Sequence, residues 1–417
     1  MPKIAILTSG QPSINPRMVK EADALADAGY DVIVIYIYWN EWATIMDVEM
    51  FSTKKWTAIR VAGNPTGEKL TYLFSRFIHK LSWIFASLFN FKFGTAENAI
   101  GRGIPWLLKA AIKQKADFYI AHNLAALSAA ALAAKKNNCS YGFDAEDFHR
   151  NEASNAPSSF DVRLKTYLED KYFKDLAYLT TASPMISSAY KKLYPQINPI
   201  TILNVFPKEK DIEPIVNKKV NLFWFSQTIG NNRGLEDIIT VLGKFNNNLF
   251  NLHLLGAHSE ITKLHFINLA VESGLSGDSL KFYAPINEAQ ITRFASKFDI
   301  GLATELSYPK NRDICLANKI FTYVQAGLAI IASNTSAQKE FIKKYPGMGV
   351  IFDRDNLATL EEKLSFYLEH PNLLLEAKKM ALKYADQELN WLMEKEKFLA
   401  VISSNMAKRT KSVIASH

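Results

Sequence analysis

Residues 299–333 read DIGLATELSYPKNRDICLANKIFTYVQAGLAIIAS, and the order of signals along them decides the fold. Residues 299–303 form a brief, mostly apolar run of the kind a strand buried on both faces needs. Glu305 opens a polar loop carrying Pro309, Asn311, Arg312 and Asp313, which takes the chain out of the sheet. Asn318 is read as the cap of the helix that follows, with Ile320, Phe321 and Val324 on one face and Gly327 as its stop. Residues 328–332 return as a second buried strand. Such a unit aims a helix N-terminus, with free N–H groups and the positive end of its dipole, at the carboxyl edge of a parallel sheet, where a diphosphate binds readily. By periodicity alone, the same unit also describes a helix packed on a sheet beneath a charged surface loop.

Outward from that stretch the alternation repeats. Strand patterns at 3–7, 32–38, 117–121, 140–144 and 177–182 alternate with helical ones at 18–28, 101–115, 162–174 and along SPMISSAYKKLYP. A short strand at 200–204 closes this half. Residues 206–219 are rich in proline and charge without periodicity and read as a linker. Strands at 220–226, 250–255, 280–283 and 349–352 and helices at 235–242, 357–368 and 373–389 complete a second half around 299–333. A last helix runs from 391 to about 406, ahead of a short, basic, loose tail. The pattern predicts α/β architecture with two doubly wound domains, at 1–205 and 220–390.

A chain of 417 residues, 48% hydrophobic and 22% charged, is of the size and composition of a two-domain globular protein. Cys139 and Cys315 are its two cysteines; they form neither a disulfide framework nor a zinc motif, which suits a reducing, cytoplasmic interior. The opening MPKIAILTSG reads as strand and turn, not as a signal peptide, and no apolar run has the length of a membrane span. The net charge of +8 suits anionic partners such as a nucleotide diphosphate, a polyprenyl phosphate or a membrane surface. Nucleic acid is not expected, because no zinc-finger spacing, aromatic RNA-binding motif or long basic tract is present.

Ligands of such sheets gather at the carboxyl ends of strands, which selects the remaining candidates. The loop TSGQPSINPR after the first strand offers Gln11, Asn15 and Arg17 to an acceptor or a diphosphate; the alternative for Arg17 is a cap of the loop against solvent. SQTIGNNRG after the strand at 220–226 is a glycine-containing turn ahead of a helix, with Arg233 at its mouth, a form suited to phosphates. DAEDFHRNE at 144–152 crowds ionisable groups: Asp144, Glu146, Asp147 and His149 suit a general base, acceptor-hydroxyl binding or an ion-pair network. Asp144 and Glu146 without a further ligand set make a weak metal site. Between residues 71 and 90, Phe74, Phe77, Ile78, Leu81, Ile84, Phe85, Leu88 and Phe89 recur at helical spacing, with Arg76, His79 and Lys80 on another face and Trp83 near the border. That helix fits the surface of an anionic membrane, and it equally fits a cover for the core.

Glu305, the Asn318–Lys319 pair and the tail FTYVQAGLAIIAS resemble the nucleotide-sugar site of glycosyltransferase family 4 and its relatives, group 1 enzymes of the GT-B fold, and the resemblance extends over nearly the whole chain. It implies two Rossmann-like domains facing a cleft, the first on the acceptor side, with the helix at 391–417 packing back on that domain and Trp391 at the crossing. The implied reaction moves a sugar from a nucleotide-diphosphate sugar to a hydroxyl of a glycan or lipid-linked acceptor with retention, as in bacterial surface polysaccharide assembly, without metal or cofactor. Glu305 and His122 would hold the donor sugar, and Arg233, Asn318 and Lys319 its diphosphate. The base would lie against the turn Ala284, Pro285, Ile286, and the acceptor near Asn15, Arg17 and Glu146. The sequence departs from the family where many members have a second glutamate that grips the ribose; Thr322 stands there. Thr228 stands where an arginine is usual, and Arg233 where a lysine is. A different GT-B activity, epimerase or phosphorylase, and an inactive glycan-binding scaffold are the alternatives; a peripheral position on the inner face of the membrane goes with the lipid-linked acceptor.

Overall fold

The structure is a computed structural model and describes residues 1–245 and 249–415. It divides into two units, Met1–Ile202 with Lys395–His417, and Leu203–Glu394. Among the described residues, the first unit holds β1 (Lys3–Thr8), β2 (Asp31–Ile37), β3 (Thr57–Val61), β4 (Phe118–His122), β5 (Ser140–Ala145), β6 (Tyr178–Thr181) and β7 (Ile200–Thr201). The second holds β8 (Val220–Thr228), β9 (Phe250–Ala257), β10 (Leu280–Tyr283), β11 (Ile300–Ala303), β12 (Ala329–Ser333) and β13 (Gly349–Phe352). The sheets run in the orders β3-β2-β1-β4-β5-β6-β7 and β10-β9-β8-β11-β12-β13. All their described strand pairs are parallel. Each is a doubly wound sheet, and the strand order reverses between β1 and β4 in one and between β8 and β11 in the other.

Ile4 to Leu7, Phe118 to Ala121 and Ala329 to Ala332 are all but inaccessible, because a parallel sheet takes its crossover helices on both faces. That is why these strands read as unbroken apolar runs rather than as alternating ones. Helix Pro16–Asp27 starts with Asn15 accepting from Met18 N and places Pro16 where an N–H is not needed. Helix Asn318–Gln325 buries everything from Ile320 to Gln325. It packs closely on β11, where a Cβ on Gly301 would lie 2.3 Å from the Tyr323 ring. Gly327, at φ +65°, ends the helix.

Several boundaries differ from the sequence reading. Asn318 is the first helical residue, not the cap: Ala317 occupies the cap position, and the Asn318 side chain instead accepts from Asn204 at 2.9 Å. The strand at 200–204 contracts to Ile200–Thr201. Helices Glu41–Phe51 and Glu260–Glu272, the strand β3 and a short helix Lys310–Ile314 inside the polar loop lacked a sequence signal that stood out. Residues 206–219 carry neither helix nor strand. The last helix runs Trp391–Ala415, so most of the tail expected to be loose is helical; Ser416 and His417 lie outside the described residues. Among the described residues, no helix is long and apolar enough to cross a membrane.

Candidate functional site

The strand-order reversal of the second unit assembles cations around one carboxylate. The loops leaving β8 and β11 are tied together where the Thr304 hydroxyl donates to the Arg233 carbonyl at 2.8 Å. Gly234, at φ +80°, makes the turn into helix Leu235–Leu242; a Cβ there would meet Arg354 Nη1 at 2.5 Å. The exposed Arg233 guanidinium donates to the hydroxyls of Ser226 (2.7 Å) and Thr228 (3.0 Å), neutral acceptors that orient it without cancelling its charge. Thr228 thus aims the arginine that follows it. Glu305 is set by its backbone, since Ser333 Oγ donates to its carbonyl at 2.7 Å. Its carboxylate lies 2.7 Å from Lys319 Nζ, and Nζ sits 4.9 Å from the centre of the buried Trp224 ring. Burial works against the Glu305 charge, but Lys319, Arg312 and Arg233 outweigh it and hold the pKa below the ordinary carboxylate range. The site therefore keeps an ionised glutamate inside a net positive field, next to the first turn of helix Asn318–Gln325.

Ala284, Pro285 and Ile286 follow β10, the sheet edge two strands from β8, a separation of roughly 10 Å at ordinary strand spacing. Ala284 and Pro285 are exposed. Thr322 is buried and its hydroxyl donates to the Asn318 carbonyl at 3.4 Å, so it faces the helix backbone and not a ribose. Trp224 was not singled out by sequence, and Ser226 and Arg312 entered only as members of their loops. The unusual tryptophan within the strand VNLFWFSQT was the available signal.

The first unit's reversal is different in kind. Strand register places Thr8, His122, Asp144 and Thr180 side by side across β1, β4, β5 and β6, and all four are fully buried. Helix Pro16–Asp27 lays Arg17 and Glu21, also fully buried, over this row. Arg17 clamps Asp144 through two bonds of 2.7 Å and donates to the Ile202 carbonyl at 2.6 Å. His122 Nε2 lies 3.0 Å from Glu21 and Nδ1 3.4 Å from Asp144. Burial and Asp144 push the Glu21 pKa up; burial lowers that of His122, but Glu21 and Asp144 outweigh it and raise it. Asp144, in spite of burial, is held low by Arg17.

Two expectations are corrected by this arrangement. Arg17 is neither a substrate contact nor a solvent-facing cap, and His122 does not face a sugar: both are spent on buried carboxylates and have no exposed surface. Possible metal-ligand atoms of Glu21, His122 and Asp144 do converge within 4.8 Å, yet Asp144 already gives both oxygens to a guanidinium, a poor setting for a cation. Asn15 is half-buried and caps its helix. Glu146, just past β5, is also half-buried, and burial with Asp144 nearby pushes its pKa up to about 7.

Helix Lys69–Leu88 covers little core. Ser75 and Ala86 are its buried residues, whereas Phe74 (56%), Phe77 (59%), Leu88 (70%) and the following Phe89 (73%) are exposed. The helix is therefore not chiefly a cover for the core.

No protein-family model matches the chain, and no curated protein sequence matches it. Solved structures do. A glycosyltransferase from Rickettsia africae superposes with a TM-score of 0.68 at 12% identity, covering 97% of this chain and 99% of that one. HepE of Anabaena, solved in complex with UDP, gives 0.68 at 14% identity over 97% of this chain and 100% of its own. Sucrose-phosphate synthase from Thermosynechococcus elongatus gives 0.66 at 12% identity over the whole of both chains. With two parallel doubly wound sheets and structural neighbours that match over nearly their whole length, the chain has the GT-B fold.

Proposed function

We propose that the protein transfers a sugar from a nucleotide-diphosphate sugar to a hydroxyl of a glycan or lipid-linked acceptor, with retention at the anomeric carbon, in the synthesis of a bacterial surface polysaccharide. The observation that carries this reading is the pair Arg233 and Lys319 at the strand-order reversal of the second unit, flanking Glu305 at a helix start. In the transfer, the bond from the anomeric carbon to the diphosphate oxygen breaks with its electron pair leaving on the diphosphate. The acceptor oxygen bonds to that carbon and passes its proton to the departing diphosphate oxygen. Arg233, Lys319 and the amides at Asn318 stabilise the charge growing on the diphosphate. Glu305, kept ionised, faces the sugar and its developing positive charge. The base rests on the turn Ala284–Ile286, and with Thr322 turned inward the ribose is held by other groups. The chemistry needs no metal, because these cations supply the positive charge.

Asn15 and Glu146 serve the acceptor; Arg17 and His122 act on it only by fixing the strand ends. Residues 71–90 rest on an anionic membrane surface at the inner face. HepE, a structural neighbour, was solved with UDP and with UDP-glucose, which supports a nucleotide-sugar donor here.

The test is thermal unfolding against UDP, GDP, ADP, TDP and CMP without metal, for the wild type, Arg233→Ala and Lys319→Ala. One diphosphate, at about a hundred times its dissociation constant, should add about 2.7 kcal/mol of stability, and both variants should lose the effect. No response to any nucleotide would overturn the reading.

A further inference from the structure

Helix Lys69–Leu88, the ends of β1 and β2 and residues 100–102 line a half-open cavity of about 800 Å³ within the first unit. Arg76, Lys80 and Arg102 line it beside Tyr38, Trp39 and Tyr72, and none of its lining residues is acidic. Arg102 donates to the carbonyls of Ala62 and Tyr38 and to the Ser75 hydroxyl, each at 2.7 Å. These acceptors are all neutral. Its guanidinium lies 4.7 Å from the Tyr72 ring centre, and that of Arg76 lies 5.6 Å from the same centre. Two guanidinium charges therefore share one aromatic ring with no carboxylate lining the space around them. Burial, with Arg76 close by, pulls the Arg102 pKa below its ordinary value in spite of Tyr72.

The cavity opens onto an apolar stripe. Phe77 lines the cavity and is 59% exposed, and Leu81, Ile84 and Leu88 continue from it at 41%, 37% and 70% exposure. Their spacing of four, three and four residues keeps them on one side of the helix. From Lys69 to Phe93 the chain has no Asp or Glu. A phosphate head and a hydrocarbon chain are the two chemistries this surface offers to receive, in that order along the helix.

We propose that the cavity binds the phosphate of a membrane lipid, with its hydrocarbon chain against the stripe. If the sugar-transfer reading holds, on which this step rests, that lipid phosphate is the anchor of the acceptor. A second copy of the chain satisfies the stripe but not the charge: two such helices paired about a two-fold axis bring one all-cationic segment against another.

The experiment is co-sedimentation of the full chain with phosphatidylcholine vesicles with and without phosphatidic acid, for the wild type, Arg76→Ala/Lys80→Ala and Leu81→Gln/Ile84→Gln. Wild type should partition preferentially to the phosphatidic acid vesicles. The cation variant should bind them about thirty-fold less tightly, at roughly 1 kcal/mol per basic residue near an anionic surface. The apolar variant should lose vesicle binding altogether, and glycerol phosphate should not compete. Equal binding to both vesicles, unchanged binding by either variant, or displacement by glycerol phosphate at matching concentration would overturn the lipid site. So would a dimer that the apolar variant splits while vesicle binding stays as in wild type. Nucleotide-induced stabilisation, read in parallel, reports on the second unit: its retention in both variants shows that they fold. Its absence in wild type alongside intact lipid binding would sink sugar transfer and leave the lipid site standing.

Discussion

The two strand-order reversals occupy the same place in the same kind of sheet and do opposite things. At β1/β4, two acids, an arginine and a histidine are sealed from solvent and answer one another's charge. At β8/β11, Arg233 is exposed and rests on hydroxyls, and Lys319 is divided between a carboxylate and a tryptophan face. Topology supplies a strand-order reversal at both, but of the two it is the second that keeps an exposed guanidinium, Arg233, on neutral acceptors. The first reversal is built to hold strand ends in register, and the second carries the accessible cation that the proposed diphosphate site requires.

The comparison breaks most readily at Asp144. Asp144→Ala strands the Arg17 guanidinium in an apolar interior and should cost about 3–5 kcal/mol in urea unfolding, while Arg17→Met/Asp144→Leu should recover most of it. A loss under 1 kcal/mol for the single change would mean that the cluster is solvated and open. At the second reversal, Lys319→Ala should cost about 1.5–3 kcal/mol of nucleotide affinity, the range for a charge-assisted bond, measurable by titration calorimetry. Thr228→Val should cost about 1 kcal/mol of the same affinity, because it removes one of the two hydroxyls that aim Arg233.

The subtlest difference is in pH dependence. Glu21 and His122 both have raised folded-state pKa values, so the fold holds a proton that the unfolded chain releases. The linked stability is full below the unfolded values and is lost as pH rises through the folded ones, beginning above the ordinary carboxylate range and continuing beyond that of histidine. Wild type should therefore lose stability relative to His122→Gln as pH rises from mildly acidic to alkaline. A flat difference would show that the cluster carries no shared proton.

The sheets were legible in the sequence because strands buried on both faces leave unbroken apolar runs, and residues 299–333 announced strand, loop, helix and strand through Gly327 and the polar loop alone. Arg233 was legible as a charge in the turn after a strand, and Glu305 and Lys319 through the resemblance of their stretch to a nucleotide-sugar site. The Arg17–Asp144 clamp was not: its partners stand 127 residues apart, and each alone looks like a surface charge near a loop. His122 misled for the same reason, since a strand-end histidine reads alike whether it faces a ligand or two buried acids. Helix Glu41–Phe51 was missed because its apolar residues, Trp42, Ile45 and Val48 among them, point outward, while the buried Asp47 binds Gln11 at 2.8 Å. The arrangement inverts the pattern that periodicity seeks.

The most direct measurement of the contrast is calorimetric titration of the nucleotide diphosphate chosen by the stability screen into Lys319→Ala and His122→Gln. The account predicts roughly ten-fold or greater weakening for Lys319→Ala and wild-type affinity for His122→Gln. Wild-type affinity in Lys319→Ala, with the loss appearing in His122→Gln, would contradict it and move the anion site to the first reversal.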